Sequence, residues 1–144
     1  MKKFRSIFIA VAVVLLLASI SWAAATSTVQ KGTGINVMTI AWTANANGSF
    51  TQFTSTQSLS GVIGWIVTDP GSTAPQSLYD ITLTTPQGVA MTIADRSATV
   101  TEMAKPTVNG VPQAVPIYGK ITLDISNNNV NAATGTIYIF YFGD

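Results

Sequence analysis

Residues 62–83 constrain the fold more than any other part of the chain. They begin with an apolar run rich in β-branched residues, V-I-G-W-I-V-T, and continue through a loop sequence, D-P-G-S-T-A-P. They end in a run that alternates between apolar and polar residues, L-Y-D-I-T-L. β-branched and aromatic residues favour strands, and strict alternation is typical of a strand with one buried face. We therefore predict two strands joined by a long hairpin-type loop.

Most of the remaining sequence repeats this pattern of short apolar or alternating runs separated by turn residues. We predict further strands at residues 35–43, 49–56, 89–93, 117–126 and 136–142. Residues 94–106 break the pattern, and we interpret them as a short helix or an irregular crossover between sheets. Regular turns without an amphipathic helix indicate an all-β fold. The prediction is an antiparallel β-sandwich of jelly-roll or Ig-like type, with about seven to eight strands.

The N-terminus has the composition of a secretory signal peptide. A basic segment, M-K-K-F-R, precedes an uncharged apolar run at residues 7–18, and Ser21-Trp22-Ala23 supplies the small residues of a cleavage site. We predict cleavage after Ala23, with Ala25 as the second choice. The protein is then exported to the periplasm, the cell surface or the extracellular space. No cysteine stands near the cleavage site, which excludes a lipid-modified N-terminus.

Cleavage divides the chain into three parts. These are a signal peptide at residues 1–23, a polar leader at residues 24–34 and a single β-sandwich domain at residues 35–144. An uncleaved membrane anchor is the alternative, because the uncharged stretch at residues 6–30 is long enough to span a bilayer. Contact with a membrane is expected only through this segment.

The charge of the mature chain argues against nucleic acid as a partner. Four basic and six acidic residues follow Ala23, which gives a net charge of −2. Nucleic-acid binding needs clustered lysine and arginine to neutralise phosphates, and these four bases are scattered. The chain also has no cysteine, so no disulfide stabilises the fold.

The sequence lacks the residues that most enzymes and metal sites use. Without histidine and cysteine, the usual general base and the commonest metal ligands are missing. Asp69 and Asp80 stand alone, whereas a calcium loop needs several closely spaced oxygen ligands. We therefore expect no catalytic residues, no metal, no cofactor and no enzymatic activity.

Three predicted strands, at residues 35–43, 62–68 and 136–142, are apolar on both faces. A sheet in a two-layer fold buries only one face in the core, so the second face must be covered by something else. The residues 94–116, a neighbouring subunit or a target surface are the candidates. We predict self-association or docking on another surface protein, and the candidate binding aromatics are Trp42, Trp65, Tyr138, Phe140 and Phe142.

Binding of a glycan or of another envelope ligand is the alternative function, because exposed aromatic rings stack on sugars. The charged crossover, which contains Asp95, Arg96, Glu102 and Lys105, adds to this candidate site through Asp95 and Arg96. Two interpretations of the crossover stay open at this point. It is either a binding loop or a solvated connection whose charges pair with one another.

The order of several motifs resembles a known group of proteins. V-T-D-P-G-S-T-A-P, L-Y-D-I-T-L-T, A-D-R-S-A-T-V-T-E, G-K-I-T-L-D-I-S-N and G-T-I-Y-I-F-Y-F are similar to segments of small β-rich proteins in tailed-phage and prophage genomes. The resemblance covers residues 35–142 and implies a virion or structural accessory role without catalytic residues. The signal peptide departs from phage structural proteins, and it suggests a bacterial exported protein that uses a similar module.

Overall fold

The computed structural model describes residues 23–143, and these residues form two six-stranded antiparallel sheets and no helix. The all-β antiparallel prediction is confirmed. The predicted signal peptide, apart from Ala23, lies outside the described residues. None of the described residues belongs to a helix that is long and apolar enough to cross a membrane.

Sheet A consists of β1 (Ala24–Gln30), β2 (Asn36–Thr43), β4 (Leu59–Pro70), β7 (Glu102–Ala104), β10 (Val115–Gly119) and β12 (Thr134–Phe142). Its strand order is β1-β2-β12-β4-β10, and β7 also pairs with β4. Sheet B consists of β3 (Phe53–Thr54), β5 (Tyr79–Thr84), β6 (Ala90–Arg96), β8 (Thr107–Val108), β9 (Val111–Pro112) and β11 (Thr122–Ser126). Its strand order is β3-β11-β5-β6-β8-β9.

One hydrophobic core joins the inner faces of the two sheets. Sheet A supplies side chains such as Ile40 and Ile139, and sheet B supplies side chains such as Ile81 and Leu83, all of them fully buried. Buried and partly exposed residues alternate along β5 and β12 because successive side chains of a strand point to opposite faces. Burial of this apolar surface is the main force that holds the sheets together.

A β-bulge at Gly64 changes which face of β4 is buried. In the pairing with β12, Phe140 lies opposite Trp65 and Tyr141 lies opposite Ile63, so Gly64 is the extra residue. One extra residue reverses the alternation beyond it. As a result Ile63 and Ile66 both face the core, whereas Val62, Trp65 and Val67 lie on the outer face. Strict alternation along residues 62–68 predicts Ile66 on the same face as Val62, and the bulge makes that prediction wrong.

The hairpin-type loop predicted between residues 62–68 and 78–85 is instead a connection between sheets. β4 pairs with β12, β10 and β7 in sheet A, and β5 pairs with β6 and β11 in sheet B. The predicted strand at residues 117–126 is also divided between the sheets. It separates at Gly119, whose φ of 119° breaks the extended backbone, into β10 on β4 and β11 on β5.

The segment predicted as a polar leader contains an ordered strand. β1 pairs with β2 over seven residues, from Ala24 opposite Thr43 to Gln30 opposite Val37. The polar composition of β1 gives no strand signal in the sequence. Of its polar side chains, Ser27 is buried while Thr26 and Thr28 are exposed. The Ser27 hydroxyl accepts a hydrogen bond from the Thr56 backbone N–H at 3.0 Å and donates one to Gln57 Oε1 at 2.6 Å.

The number of strands also differs from the predicted seven to eight. The described residues contain twelve strand segments, of which four have only two or three residues. Within the predicted strand at residues 49–56, only Phe53–Thr54 pairs with a neighbour. The crossover at residues 94–106 contains no helix; Glu102–Ala104 pairs instead with the edge of β4.

Asn128 connects three loops at one end of the molecule. Its Oδ1 accepts the Gln76 backbone N–H at 2.9 Å, and its Nδ2 donates to the Gly48 carbonyl oxygen at 2.8 Å and to the Val130 carbonyl oxygen at 3.2 Å. The side chain is almost fully buried. The bond to the Gly48 carbonyl oxygen is buried, and the bonds to Gln76 and Val130 are partly buried, so the side chain satisfies backbone groups with little access to water.

We expect Asn128→Leu to lower the free energy of unfolding by about 2 kcal/mol, because the buried Gly48 carbonyl oxygen and two partly buried backbone groups lose their hydrogen bonds. Urea unfolding followed by tryptophan fluorescence measures this change. Asn129→Leu is the matched control: Asn129 is exposed, so its effect is expected within about 0.5 kcal/mol. Equal effects at the two positions would contradict the role assigned to Asn128.

Candidate functional site

The outer face of sheet A carries a continuous group of apolar side chains, here called the apolar face. Its members are Val37, Val62, Trp65, Val67, Met103, Tyr138, Phe140 and Phe142. The strand register places them side by side. Val37, Phe140 and Trp65 form one row, and Tyr138, Val67 and Met103 form the next. Because directly opposed residues point to the same side of a sheet, these rows form one surface.

The apolar face is centred on the ring pair of Trp65 and Phe142. Their centroids lie 5.6 Å apart with an interplanar angle of 65°, an edge-to-face contact. The bulge residue makes this contact possible, since a Cβ at Gly64 would lie 2.8 Å from Cε2 of Phe142. Trp65 is 37% exposed and Phe142 is 38% exposed, so both rings remain available to a partner.

Polar side chains border the apolar face. On the β1 side, Thr28 lies opposite Thr39, and Thr39 lies opposite Tyr138. At the end of β4, Asp69 lies opposite Thr136. An apolar centre with a polar rim is the usual anatomy of a protein interaction surface. The arrangement therefore fits binding by contact and exclusion of water rather than chemistry on a substrate.

The structure brings together four of the seven residues predicted for the site, namely Trp65, Tyr138, Phe140 and Phe142. Trp42 is not among them. It lies on the inner face of β2, is 2% exposed and packs against Phe50 and Tyr79 with ring centroids 6.1 and 6.0 Å away. The assignment of Trp42 as a binding residue is corrected, because a side chain in the core does not reach a partner.

Asp95 and Arg96 lie at the end of β6 in sheet B and are not part of the apolar face. Asp95 has a φ of 55° within a bulge, and its backbone N–H donates to Asp80 Oδ1 at 2.9 Å. Arg96 donates twice to the Ala94 carbonyl oxygen and approaches Glu102 Oε2 at 3.6 Å. Of the two interpretations of this crossover, the Arg96–Glu102 contact favours charges that pair with one another.

The 94–116 connection does not cover the apolar face. β7 extends sheet A at the edge of β4, and Met103 enlarges the apolar face with a side chain that is 70% exposed. Sequence reasoning did not select Met103, because a single methionine in a charged segment carries no strand signal. The register of β7 with β4 is the feature that places it beside Val67.

A separate groove of about 610 Å³ lies where the edges of the two sheets meet. Val89, Val108 and Val115 line it, together with Gln87 and Tyr118. Tyr118 is 78% exposed. The backbone carbonyl oxygen of Tyr118 accepts a hydrogen bond from Gln87 Nε2 at 3.0 Å. Sequence reasoning also passed over Tyr118, although the alternation of residues 117–126 placed it on the polar face of its strand.

Residues 23–143 contain no group of three or more acidic residues placed to hold a metal ion. The buried hydroxyl of Tyr79 is the titratable group most changed by its surroundings: desolvation raises its pKa to about 12. Desolvation also raises the pKa of Tyr141. Both rings belong to the core, and Tyr141 also lines a second groove of about 600 Å³. No protein-family model matches the chain, and no curated protein matches its sequence.

Proposed function

We propose that this protein is an exported, non-catalytic interaction protein that associates through its apolar face with itself or with another surface component. The observation that carries the proposal is the grouping of Trp65, Tyr138, Phe140 and Phe142 on the outer face of sheet A. Contiguous exposed apolar patches mark interaction sites on soluble proteins. Aromatic residues at the centre of such patches contribute most of the binding energy.

The proposed architecture is a two-layer β-sandwich of jelly-roll or Ig-like type. Its support is the single core between two antiparallel sheets, which leaves one face of each sheet outside. The outer face of sheet B is the useful comparison. There the outward residues are polar side chains such as Thr82, Thr92 and Asp124. The contrast between the two outer faces supports a specific role for sheet A.

A non-catalytic role is supported by the composition of the chain, which has no histidine or cysteine to act as base, nucleophile or ligand. Export is supported by the N-terminal sequence features described above. The resemblance to structural accessory proteins of phages agrees with an assembly role.

Removing the two exposed rings is expected to abolish association through the apolar face. In the variant Trp65→Thr/Phe142→Thr, threonine keeps the strand propensity while the apolar centre is lost. Light scattering after size-exclusion chromatography measures self-association, and co-sedimentation with envelope fractions of the producing cell measures docking. We expect the wild-type protein to associate in at least one assay, with affinity at least about tenfold above that of the variant.

Thr82→Ser/Thr92→Ser on the outer face of sheet B is the matched control and is expected to behave like the wild-type protein. Far-UV circular dichroism and urea unfolding establish that each variant folds. A wild-type protein that is monomeric at high concentration and does not sediment with envelopes would overturn the proposal. Envelope sedimentation and assembly larger than a dimer that are both unchanged in the double variant would also overturn it.

Glycan binding is the second candidate, favoured by the exposed Tyr118 ring beside the groove that contains Gln87 and Gln113. An aromatic ring with neighbouring amides provides stacking and hydrogen bonds for a neutral sugar. A glycan array separates the candidates. Binding that is lost in Tyr118→Ala and retained in the Trp65 and Phe142 double variant would favour the groove as a glycan site.

A further inference from the structure

The outer edge of β1 is open. Among residues 23–143, β1 pairs with β2 alone. Its sequence, A-A-T-S-T-V-Q, contains no proline and no charge, and its seven-residue register has no bulge. Proline, charge and bulges are the devices by which proteins protect an edge strand from pairing with another chain. β1 has none of them, so its outward N–H and C=O groups form a template for a further strand.

The other edge strands are protected or short, and β7 is one of the short ones, with three residues that include the charged Glu102. In β10, at the opposite edge of sheet A, Pro116 has no N–H to donate, and Gln87 already binds the Tyr118 carbonyl oxygen at 3.0 Å. Sheet B ends on both sides in two-residue strands, Phe53–Thr54 and Val111–Pro112. Short strands and proline leave little backbone to pair with a neighbour. β1 is therefore the one long unprotected edge within the described residues.

We propose that β1 pairs antiparallel with β1 of a second copy, which joins the two A sheets into one continuous sheet. Within the described residues β10 offers no free edge for head-to-tail pairing with β1, so the contact joins like edges. Pairing of like edges about a two-fold axis closes the assembly at a dimer. An uncharged strand brings no like-charge repulsion to this contact.

The register of the β1–β1 pair follows if all seven residues of each strand take part. Pairing all seven residues places Ser27 on the two-fold axis and Thr26 opposite Thr28 of the second copy. Ser27 is already fixed from the inner side by its bonds to Thr56 and Gln57. β1 is therefore held extended before it meets a partner, and little conformational freedom is lost on pairing.

The dimer would enlarge the surface on which the proposed function depends. A two-fold axis perpendicular to the sheet keeps the outer faces of both A sheets on the same side. The two apolar faces of the dimer then point towards one target. Binding of the first face raises the effective concentration of the second. The edge contact itself uses no residue of the apolar face, so it stands or fails independently of the proposed function.

Cysteine cross-linking tests the pairing, and the chain has no cysteine of its own to interfere. The full chain is expressed with its own N-terminal segment, and mass spectrometry identifies the mature N-terminus. Under mild oxidation we expect Thr26→Cys mixed with Thr28→Cys to form a disulfide-linked heterodimer, because opposed residues of paired strands lie within disulfide distance. Thr92→Cys on sheet B is the control and is expected to remain monomeric on a non-reducing gel.

Charge on the edge gives the second measurement. In Thr26→Lys/Thr28→Lys, like charges face each other across the two-fold axis, and the mass from light scattering is expected to fall about twofold, to that of a monomer. Thr92→Lys is expected to keep the dimer mass. Repeating the cross-linking in the Trp65→Thr/Phe142→Thr background separates the two proposals, since the edge disulfide is expected to persist there.

Cross-linking no stronger than that of the Thr92→Cys control would overturn the inference. So would a dimer that survives both lysine substitutions. If the N-terminal residues of the same chain cover the β1 edge, the protein stays monomeric. Cross-linking is then no stronger than that of the Thr92→Cys control.

Discussion

Gly61→Ala is expected to lower the free energy of unfolding by about 4 kcal/mol, a large part of the stability of a small domain. Gly61 has a φ of 149°, where side chains are strained, and a Cβ added there would overlap the backbone of Phe142 and Gly143. These atoms belong to the backbone, so no flexible side chain can move aside. The clash falls where the end of β12 meets β4, so the sheet must open locally to relieve it.

Gly64→Ala is the matched control, three residues away on the same strand. Its Cβ would meet only the Phe142 ring, at 2.8 Å from Cε2, and a ring can rotate away. We expect a loss of about 1 kcal/mol in this variant, together with a weakened Trp65–Phe142 contact. Urea unfolding measures both variants. Equal losses would show that the backbone contact at Gly61 is not the cause.

Alkaline unfolding is the second large effect, and Tyr79 is expected to dominate it. Burial raises the Tyr79 pKa from 10.0 to about 12, so the folded protein retains this proton at a pH where the unfolded chain has lost it. The stability that this group contributes is complete below pH 10 and is lost as the pH rises towards 12. Over this pH range the free energy of unfolding falls by about 3 kcal/mol because of this group.

Urea unfolding at a series of pH values between 9 and 12 measures this dependence. Tyr79→Phe is expected to flatten the decline, since phenylalanine has no proton to lose. Tyr141→Phe is expected to flatten it further, because burial raises the pKa of Tyr141 in the same direction. A decline in Tyr79→Phe as steep as that of the wild-type protein would contradict the assignment.

The sequence predicted the strands better than their partners. Alternation in residues 78–83 reports a strand with one face in a core, and β5 has that burial pattern. Alternation does not report which strand lies alongside. The loop after β4 reads like a hairpin, but it crosses between sheets because β4 already has β12 and β10 as neighbours.

The candidate site was predictable as a list of aromatics but not as a surface. Trp42 and Trp65 both occupy strands that are apolar on both faces, so periodicity does not tell which ring is buried. Packing decides it: Trp42 fills the core beside Tyr79, and the bulge at Gly64 turns Trp65 outward. The open edge at β1 was missed because its polar composition resembles a linker, and only its register with β2 identifies it as a strand.

By itself the sequence determined the all-β antiparallel class, because β-branched alternation and turn residues act over a few neighbouring positions. It also determined that apolar residues exceed what one inner face can bury. Only the tertiary structure decided which face each ring occupies, where the chain changes sheet and which edge stays open. These features depend on contacts between residues far apart in the chain, such as Phe142 with Gly64, and local preference does not encode them.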